Sequence, residues 1–290
     1  MVAFASSVAW DAPRTGDGSD RLPDQDGGVF FRLASWELAL IVLAVVGGAT
    51  VAGFALGRYL RQHSAALREP FGVLQAALLG VVGLILAFGL TLAVDRYQNR
   101  RAALVEESNA IGTTYLRAQL IAEPQRSRSI DLLRRYTTLA LRISNEVPGS
   151  PAMRRTTAAE GVIQRRLWRL AGQSIAAAPV ASAPRLYVDS LNTTIDQQSA
   201  RLSALANRVP SAVLGIELIG AAVALGLLAL HISLLGRGLL PMLTAAALVT
   251  MLLLVTFDLD RPTRGLIEVP DAPLKALRAS MALPPAATGP

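Results

Sequence analysis

The sequence predicts an all-α, polytopic membrane protein with four transmembrane helices and a helical cytoplasmic insert between the second and third spans. The chain of 290 residues is 52% hydrophobic and only 17% charged, and its mean hydropathy of +0.42 is too high for an ordinary soluble domain. The apolar residues are also concentrated in four segments, each near the ~20 residues that cross a hydrocarbon core of ~30 Å. These segments are residues 36–58, 71–94, 212–235 and 239–257.

The same pattern divides the chain into five parts. The first residues lack the basic start and the long apolar run of a signal peptide, and their Gly, Asp and Pro predict a disordered segment. Short loops within each pair of spans predict antiparallel hairpins. The predicted parts are a disordered tail (1–35), a first transmembrane hairpin (36–95), a helical cytoplasmic bundle (96–210), a second transmembrane hairpin (211–258) and a cytoplasmic C-terminal tail (259–290).

The second span is predicted to run into the insert as one unbroken helix. No Pro or Gly interrupts LTLAVDRYQNRRAALVEE, residues 90–107, although this stretch changes from apolar to charged. Beyond Pro124, the breaks VPGSP at 147–151 and AAPVASAP at 177–184 separate three further predicted helices. The first of them has an apolar face at three- and four-residue spacing, formed by Ile130, Leu133, Tyr136, Ala140 and Ile143.

The charge distribution predicts which side of the membrane holds the insert. Residues 96–210 contain 17 Arg against 8 Asp or Glu, so the positive-inside rule places them on the cytoplasmic side of the membrane, together with both termini. Arg58, Arg61 and Arg68 in the first short loop argue for the opposite orientation. A basic patch is also compatible with nucleic acid, but no nucleic-acid-binding motif accompanies this one, and no nucleic-acid partner is expected.

The sequence gives little sign of an enzyme. There is no cysteine, which excludes disulfides and thiolate metal sites. The two histidines, His63 and His231, are badly placed for a catalytic triad or a zinc site, and no Gly-rich phosphate loop is present. We therefore expect no catalytic residue, no bound cofactor and no resident metal.

Eight charged residues are predicted to lie at the cytoplasmic boundary of the membrane. The acidic members are Asp95, Glu217, Asp258 and Asp260, and the basic members are Arg96, Arg100, Arg101 and Arg261. A carboxylate at membrane depth is costly unless it faces protein or water. The set is interpreted as an interfacial belt of ion pairs, and a charged vestibule and a divalent-cation site remain as alternatives.

Small residues on the second span have two interpretations as well. Ala76, Gly80, Gly83 and Ala87 form one stripe, and GFALG at 53–57 places two glycines on the first span. Such residues allow helix backbones to approach closely. Helix packing is therefore the first interpretation of the stripe on the second span, and the lining of a pore is the alternative.

Three segments resemble the bacterial bestrophin-like membrane proteins. They are residues 78–121, which contain EESNAIGTTYLR, the RVP at 208–210 and DLDRPTRGLIEVPDAPLKAL at 258–277. Bestrophins are pentameric anion channels, and the resemblance implies that the second helix lines a pore with Leu84 and Phe88 in its neck. Gly80, which is not bulky, would take the next neck position, Thr91 would line the pore below, and Arg96-Tyr97 would match the Arg-aromatic step. Only Asp258 and Asp260 match the acidic calcium clasp of animal bestrophins, so calcium gating is not expected.

Two functions follow as hypotheses. The first is a homo-oligomeric ion channel that passes small anions. The resemblance to bestrophins implies that the oligomer is a pentamer. The second is a non-conducting membrane scaffold or regulatory protein that binds a partner through its cytoplasmic helices. A channel requires Leu84 and Phe88 to face a central axis, whereas a scaffold can bury them against the neighbouring spans.

Overall fold

The computed structural model describes residues 35–61, 68–236, 240–261, 263, 265–285 and 287, and it confirms the predicted all-α class. The predicted tail 1–35 lies outside the described residues except for Ser35, and so does His63. Eight helices and no strand occur in the described residues. They are α1 (Ser35–Arg61), α2 (Arg68–Ala118), α3 (Gln125–Asn145), α4 (Pro151–Ala177), α5 (Ser182–Ala206), α6 (Ser211–Leu234), α7 (Leu240–Leu259) and α8 (Ala272–Ser280).

Four of these helices, α1, α2, α6 and α7, include segments long and apolar enough to cross a membrane, as predicted. The segment that contains α6 is the most buried of the four, because α6 packs against α1, α2 and α7. Glycines allow α1 and α6 to approach closely. A Cβ added at Gly53 would overlap the carbonyl of Gly226, and one added at Gly57 would lie 2.5 Å from the carbonyl oxygen of Leu230.

Helix α2 is the longest element of the protein and contains no break. Its 51 residues correspond to a length of about 75 Å at the α-helical rise. Its first half packs on α6 and α7, and its second half packs on α3 and α5. The predicted continuity from the second span into the insert is therefore confirmed, although the helix ends at Ala118 and a turn precedes Pro124.

The insert is a bundle in which α3, α4 and α5 pack with the second half of α2. All five residues of the apolar face predicted for α3 are buried. Helix α4 begins with Pro151 at its first position, where the missing N–H costs nothing. The preceding Ser150 side chain accepts a hydrogen bond of 3.1 Å from the N–H of Met153.

The C-terminal segment packs against the insert. Leu274 of α8 and Met281 just beyond it are fully buried in the same core as α2 and α3. The carbonyl oxygen of Met281 accepts hydrogen bonds from Arg134 Nε at 2.9 Å and from the Tyr115 hydroxyl at 3.3 Å. Residues 272–281, which the sequence suggested to be part of a tail, are thus part of the bundle because their apolar side chains fill its core.

Candidate functional site

The neck residues implied by the resemblance to bestrophins lie on one exposed face of α2. Gly80, Leu84, Phe88, Thr91 and Asp95 recur every three or four residues, so they share a side of the helix. All five are exposed, and the exposed fractions of Leu84 and Phe88 reach 58% and 62%. We name these five residues the open face of α2.

The opposite side of α2 carries the contacts with the neighbouring spans. Val82, Leu86 and Ala93 are buried there, the first two in the same core as α6 and α7. Neither Leu84 nor Phe88 is buried by a span of its own chain. A scaffold that buries them within one chain does not agree with this arrangement.

The stripe predicted on α2, which consists of Ala76, Gly80, Gly83 and Ala87, does not serve helix packing within the described part of the chain. A Cβ added at Gly80 or Gly83 would meet nothing within 4 Å, and Ala76 and Ala87 are exposed. The space beside this stripe therefore belongs to lipid, to water or to another subunit. The hydroxyl of Thr91 is satisfied locally, since it donates to the carbonyl oxygen of Ala87 at 2.9 Å.

Arg100 and Asp260 form the centre of the charged boundary. Both side chains are buried, with 3.4 Å between Arg100 Nη2 and Asp260 Oδ1. Arg100 also donates to the backbone carbonyls of Asn207 at 2.9 Å and Leu259 at 3.1 Å. The Asp260 carboxylate accepts from the N–H of Val209 at 3.1 Å. These bonds tie α2 to the α5–α6 connection and to the end of α7.

Burial sets the electrostatics of this ion pair. Desolvation raises the pKa of Asp260 above its ordinary value, while the Val209 N–H and the positive charge of Arg100 act in the opposite direction. Arg96 extends the same contacts by donating to the side-chain oxygen of Asn207 at 2.6 Å. Arg261 is buried immediately after Asp260.

The other members of the predicted belt do not join it. Asp258 accepts from the N–H groups of Leu266 at 2.9 Å and Ile267 at 2.8 Å, so it holds the chain that follows α7. Asp95 and Arg101 are exposed, and neither has an ion pair within the described part of the chain. Among the described residues, the predicted belt therefore contains one buried ion pair, Arg100–Asp260. Its carboxylates do not come together as a candidate metal site in this part of the chain.

Glu217 lies apart from the arginines. Its side chain is 1% exposed and rests on Gly89 of α2, where any added Cβ would overlap the carboxylate. Neither carboxylate oxygen has a hydrogen-bond partner among the described residues. The sequence predicted that Glu217 faces protein or water, and the structure places it against α2. The arginine partner expected from the sequence is not present among the described residues.

A second set of buried charges lies inside the insert. Arg201 of α5 pairs with Glu107 of α2 and also donates to Ser144 Oγ at 2.7 Å and to the carbonyl oxygen of Ala140 at 3.2 Å. Glu160 of α4 is fully buried and accepts from Gln198 Nε2 at 2.9 Å. We name Glu107, Glu160 and Arg201 the buried triad.

The buried triad has more negative than positive groups. One arginine faces two carboxylates, and one oxygen of each carboxylate has no hydrogen-bond partner among the described residues. Burial, and after it the charge of Glu107, raises the pKa of Glu160 to about 8. Sequence analysis missed this site, although one signal was available: Glu160 interrupts the apolar face of α4 formed by Ile163 and Leu167.

Glu160→Gln is expected to change how stability depends on pH. A carboxyl whose pKa rises from 4.5 to about 8 on folding contributes stability that is fully present below pH 4.5 and is lost as pH rises through about 8. The glutamine variant cannot lose this contribution. Its unfolding midpoint should match that of the wild type near pH 5 and exceed it near pH 9. Parallel curves of thermal midpoint against pH would contradict this assignment.

Comparisons with known proteins identify a family and a group of similar structures. The family described as Bestrophin-like domain matches residues 39–274. No curated protein matches the chain. Among solved structures, the chain resembles a bacterial bestrophin homolog from Klebsiella pneumoniae that was phased by Zn-SAD, with 13% identity, 84% of this chain and 97% of that chain covered, and a TM-score of 0.63.

Crystal structures of mutated forms of that homolog give similar values. One has 14% identity and a TM-score of 0.66, with 87% of this chain and 99% of that chain covered. Another has 14% identity and a TM-score of 0.66 over 85% and 98% of the two chains. At such low identity these likenesses establish a shared fold. Since the family match extends over most of the sequence, the chain belongs to the bestrophin-like family of membrane proteins.

Proposed function

We propose that the protein is a channel rather than an enzyme, formed by several copies of the chain with α2 nearest the central axis, and that it passes small anions. The observation that carries this proposal is the open face of α2. Leu84 and Phe88 are large apolar side chains that no span of the same chain covers. In a ring of subunits they would form an apolar constriction, which gates by excluding water.

The charge of the insert supports the choice of anions. Residues 96–210 contain 17 Arg against 8 Asp or Glu, and a positive field raises the local concentration of anions. By the positive-inside rule, the same surplus favours the cytoplasmic side of a bacterial inner membrane for the insert. An even number of spans would then place both termini in the cytoplasm as well.

In this proposal the membrane spans and the insert have different roles, and α2 connects them. Residues 36–95 and 211–258 would form the conducting layer, and residues 96–210 would form the cytoplasmic vestibule. Because α2 is unbroken between them, a rotation or tilt of the vestibule would be transmitted to Leu84 and Phe88. The Arg100–Asp260 pair lies where the two layers meet and would fix the position of α2.

A non-conducting scaffold remains the second candidate because the insert exposes apolar side chains of its own. Leu116 near the end of α2, Leu120 in the turn after it and Leu186 of α5 are exposed, and Arg117 donates to the carbonyl oxygen of Leu186 at 2.9 Å. Such a patch suits contact with a protein partner or with a second subunit. The scaffold hypothesis uses this patch and requires no axial opening.

Chloride efflux from liposomes that contain the purified protein tests the proposal. We expect efflux above that of empty liposomes, from protein whose oligomeric state is verified by cross-linking in the same membranes. Reversal potentials in a salt gradient then report whether chloride or the cation carries the current. An intact oligomer without flux would favour the scaffold, and a cation current would retain the pore but remove the anion assignment.

A further inference from the structure

Four arginines line one groove on the outside of the insert. The groove has a volume of about 390 Å³ and lies between α3 and α4. Each helix contributes residues at positions i, i+3, i+4 and i+7, which form one helical face. From α3 these are Arg128, Asp131, Leu132 and Arg135, and from α4 they are Arg166, Arg169, Leu170 and Gln173.

The positive charges of this groove are not neutralised within the described part of the chain. All four arginines are exposed, and none of them forms an ion pair or a side-chain hydrogen bond with another described residue. Asp131 is the one acidic residue among those that line the groove. By contrast, Arg134 and Arg201 of the same bundle are both hydrogen-bonded. The groove therefore presents unpaired guanidinium groups to an anion.

The position of the groove indicates a soluble anion. It is built from the first half of α3 and the second half of α4. Arg134, the neighbour of Arg135 in the chain, donates to the Tyr115 hydroxyl near the far end of α2 at 3.3 Å. Ala118 at that end is 23 residues beyond Asp95, or roughly 35 Å along the helix. Lipid head groups do not extend so far. No residue of α2 lines the groove, so it is also separate from the open face of α2.

The spacing of the arginines indicates more than one phosphate group. Arg128 and Arg135 are seven residues apart, which is about 10 Å along α3, and Arg166 and Arg169 face them from α4. A guanidinium fork matches two oxygens of a phosphate. A single phosphate is too small to bridge such a row, whereas linked phosphates can follow it. Leu132 and Leu170 provide an apolar floor between the charges.

We propose that the groove between α3 and α4 binds a soluble anion with two or more linked phosphate groups. The ligand is either an inorganic polyphosphate or a nucleoside polyphosphate, since both offer the same chain of phosphate oxygens. The apolar floor can distinguish the two ligands, because a nucleoside polyphosphate carries a base that can pack on Leu132 and Leu170 and an inorganic polyphosphate does not. This site does not depend on conduction through α2.

Isothermal titration of the full-length protein in detergent with inorganic triphosphate tests the site. We expect saturable binding that weakens at least about tenfold in Arg135→Gln/Arg166→Gln, because the variant removes charge-assisted hydrogen bonds from both helices of the groove. Binding should also weaken as salt is raised. The matched control is Arg155→Gln/Arg165→Gln, which removes the same charge from exposed positions of α4 outside the groove and should bind as the wild type does.

Two results would overturn the site: absence of saturable binding to wild-type protein, and equal weakening in the control variant, which would indicate general attraction to a basic surface. Circular dichroism of all variants separates lost binding from lost folding. A parallel titration with adenosine triphosphate identifies the source. Tighter binding than that of inorganic triphosphate supports a nucleoside ligand, and equal binding supports an inorganic one.

Discussion

Arg201→Met is expected to destabilise the protein by about 3–5 kcal/mol, the usual consequence of removing one partner from a buried ion pair. Methionine can occupy a similar volume but leaves Glu107 without its counter-charge. It also removes the donors to Ala140 and Ser144, and so breaks bonds among α2, α3 and α5. Glu160 then lies beside a second carboxylate with no nearby arginine to offset it. Thermal and denaturant unfolding of the detergent-solubilised protein measure the change.

Two further variants make this prediction specific. Arg155→Met changes an exposed arginine with no ion pair among the described residues, and it should alter stability by no more than about 0.5 kcal/mol. Adding Glu107→Gln to Arg201→Met removes the uncompensated charge and should recover part of the loss. If Arg201→Met unfolds like the Arg155→Met control, the buried triad does not hold the insert together.

The membrane layer was predictable from the sequence because its signals are local. Apolar runs of about 20 residues predict spans wherever they occur, and the absence of Pro and Gly between 90 and 107 was enough to predict one continuous α2. The periodicity that places Leu84 and Phe88 on one face is also local. Which structure, if any, covers that face depends on the positions of α6 and α7, more than 120 residues later in the chain.

The buried charges were not predictable in the same way, because their partners are distant in sequence. Arg201 meets Glu107 across 94 positions, and Arg100 meets Asp260 across 160. The sequence pattern groups Asp258 with Asp260 at the membrane boundary. In the structure, Asp258 accepts a hydrogen bond from the N–H of Leu266 in the segment after α7, whereas Asp260 pairs with Arg100. Only the packing of helices selects between such neighbours.

The two buried ion pairs act on the same helix. Arg100 and Glu107 both lie on the covered side of α2, one at the membrane boundary and one within the insert. Together they fix the rotation of α2 about its own axis, since a turn in either direction would break them. This rotation keeps Leu84 and Phe88 exposed on the other side. The stability of the insert and the geometry of the proposed pore are therefore linked through one helix.

Phe88→Ala is expected to increase chloride efflux from liposomes several-fold over wild type. In the proposed pore, the Phe88 rings of all subunits approach the axis and exclude water from the narrowest level. Alanine removes this apolar bulk and widens the constriction. Because Phe88 is 62% exposed and is not buried by the described part of its own chain, the substitution leaves little cavity and should not change folding. Efflux per oligomer, measured by a chloride electrode, gives the ratio of the two rates.

Leu248→Ala provides the matched control for this increase. Leu248 is an apolar residue of α7 with an exposed fraction of 71%, so its truncation removes similar exposed bulk from a helix that is not proposed to line the pore. Its efflux should equal that of the wild type. An equal rise in both variants would indicate a general leak through disturbed bilayer, and an unchanged rate in a conducting Phe88→Ala oligomer would place the constriction elsewhere. Phe88 lies on α2 and Leu248 lies on α7. A rise in efflux limited to Phe88→Ala would therefore identify α2 as the helix that controls the passage of chloride.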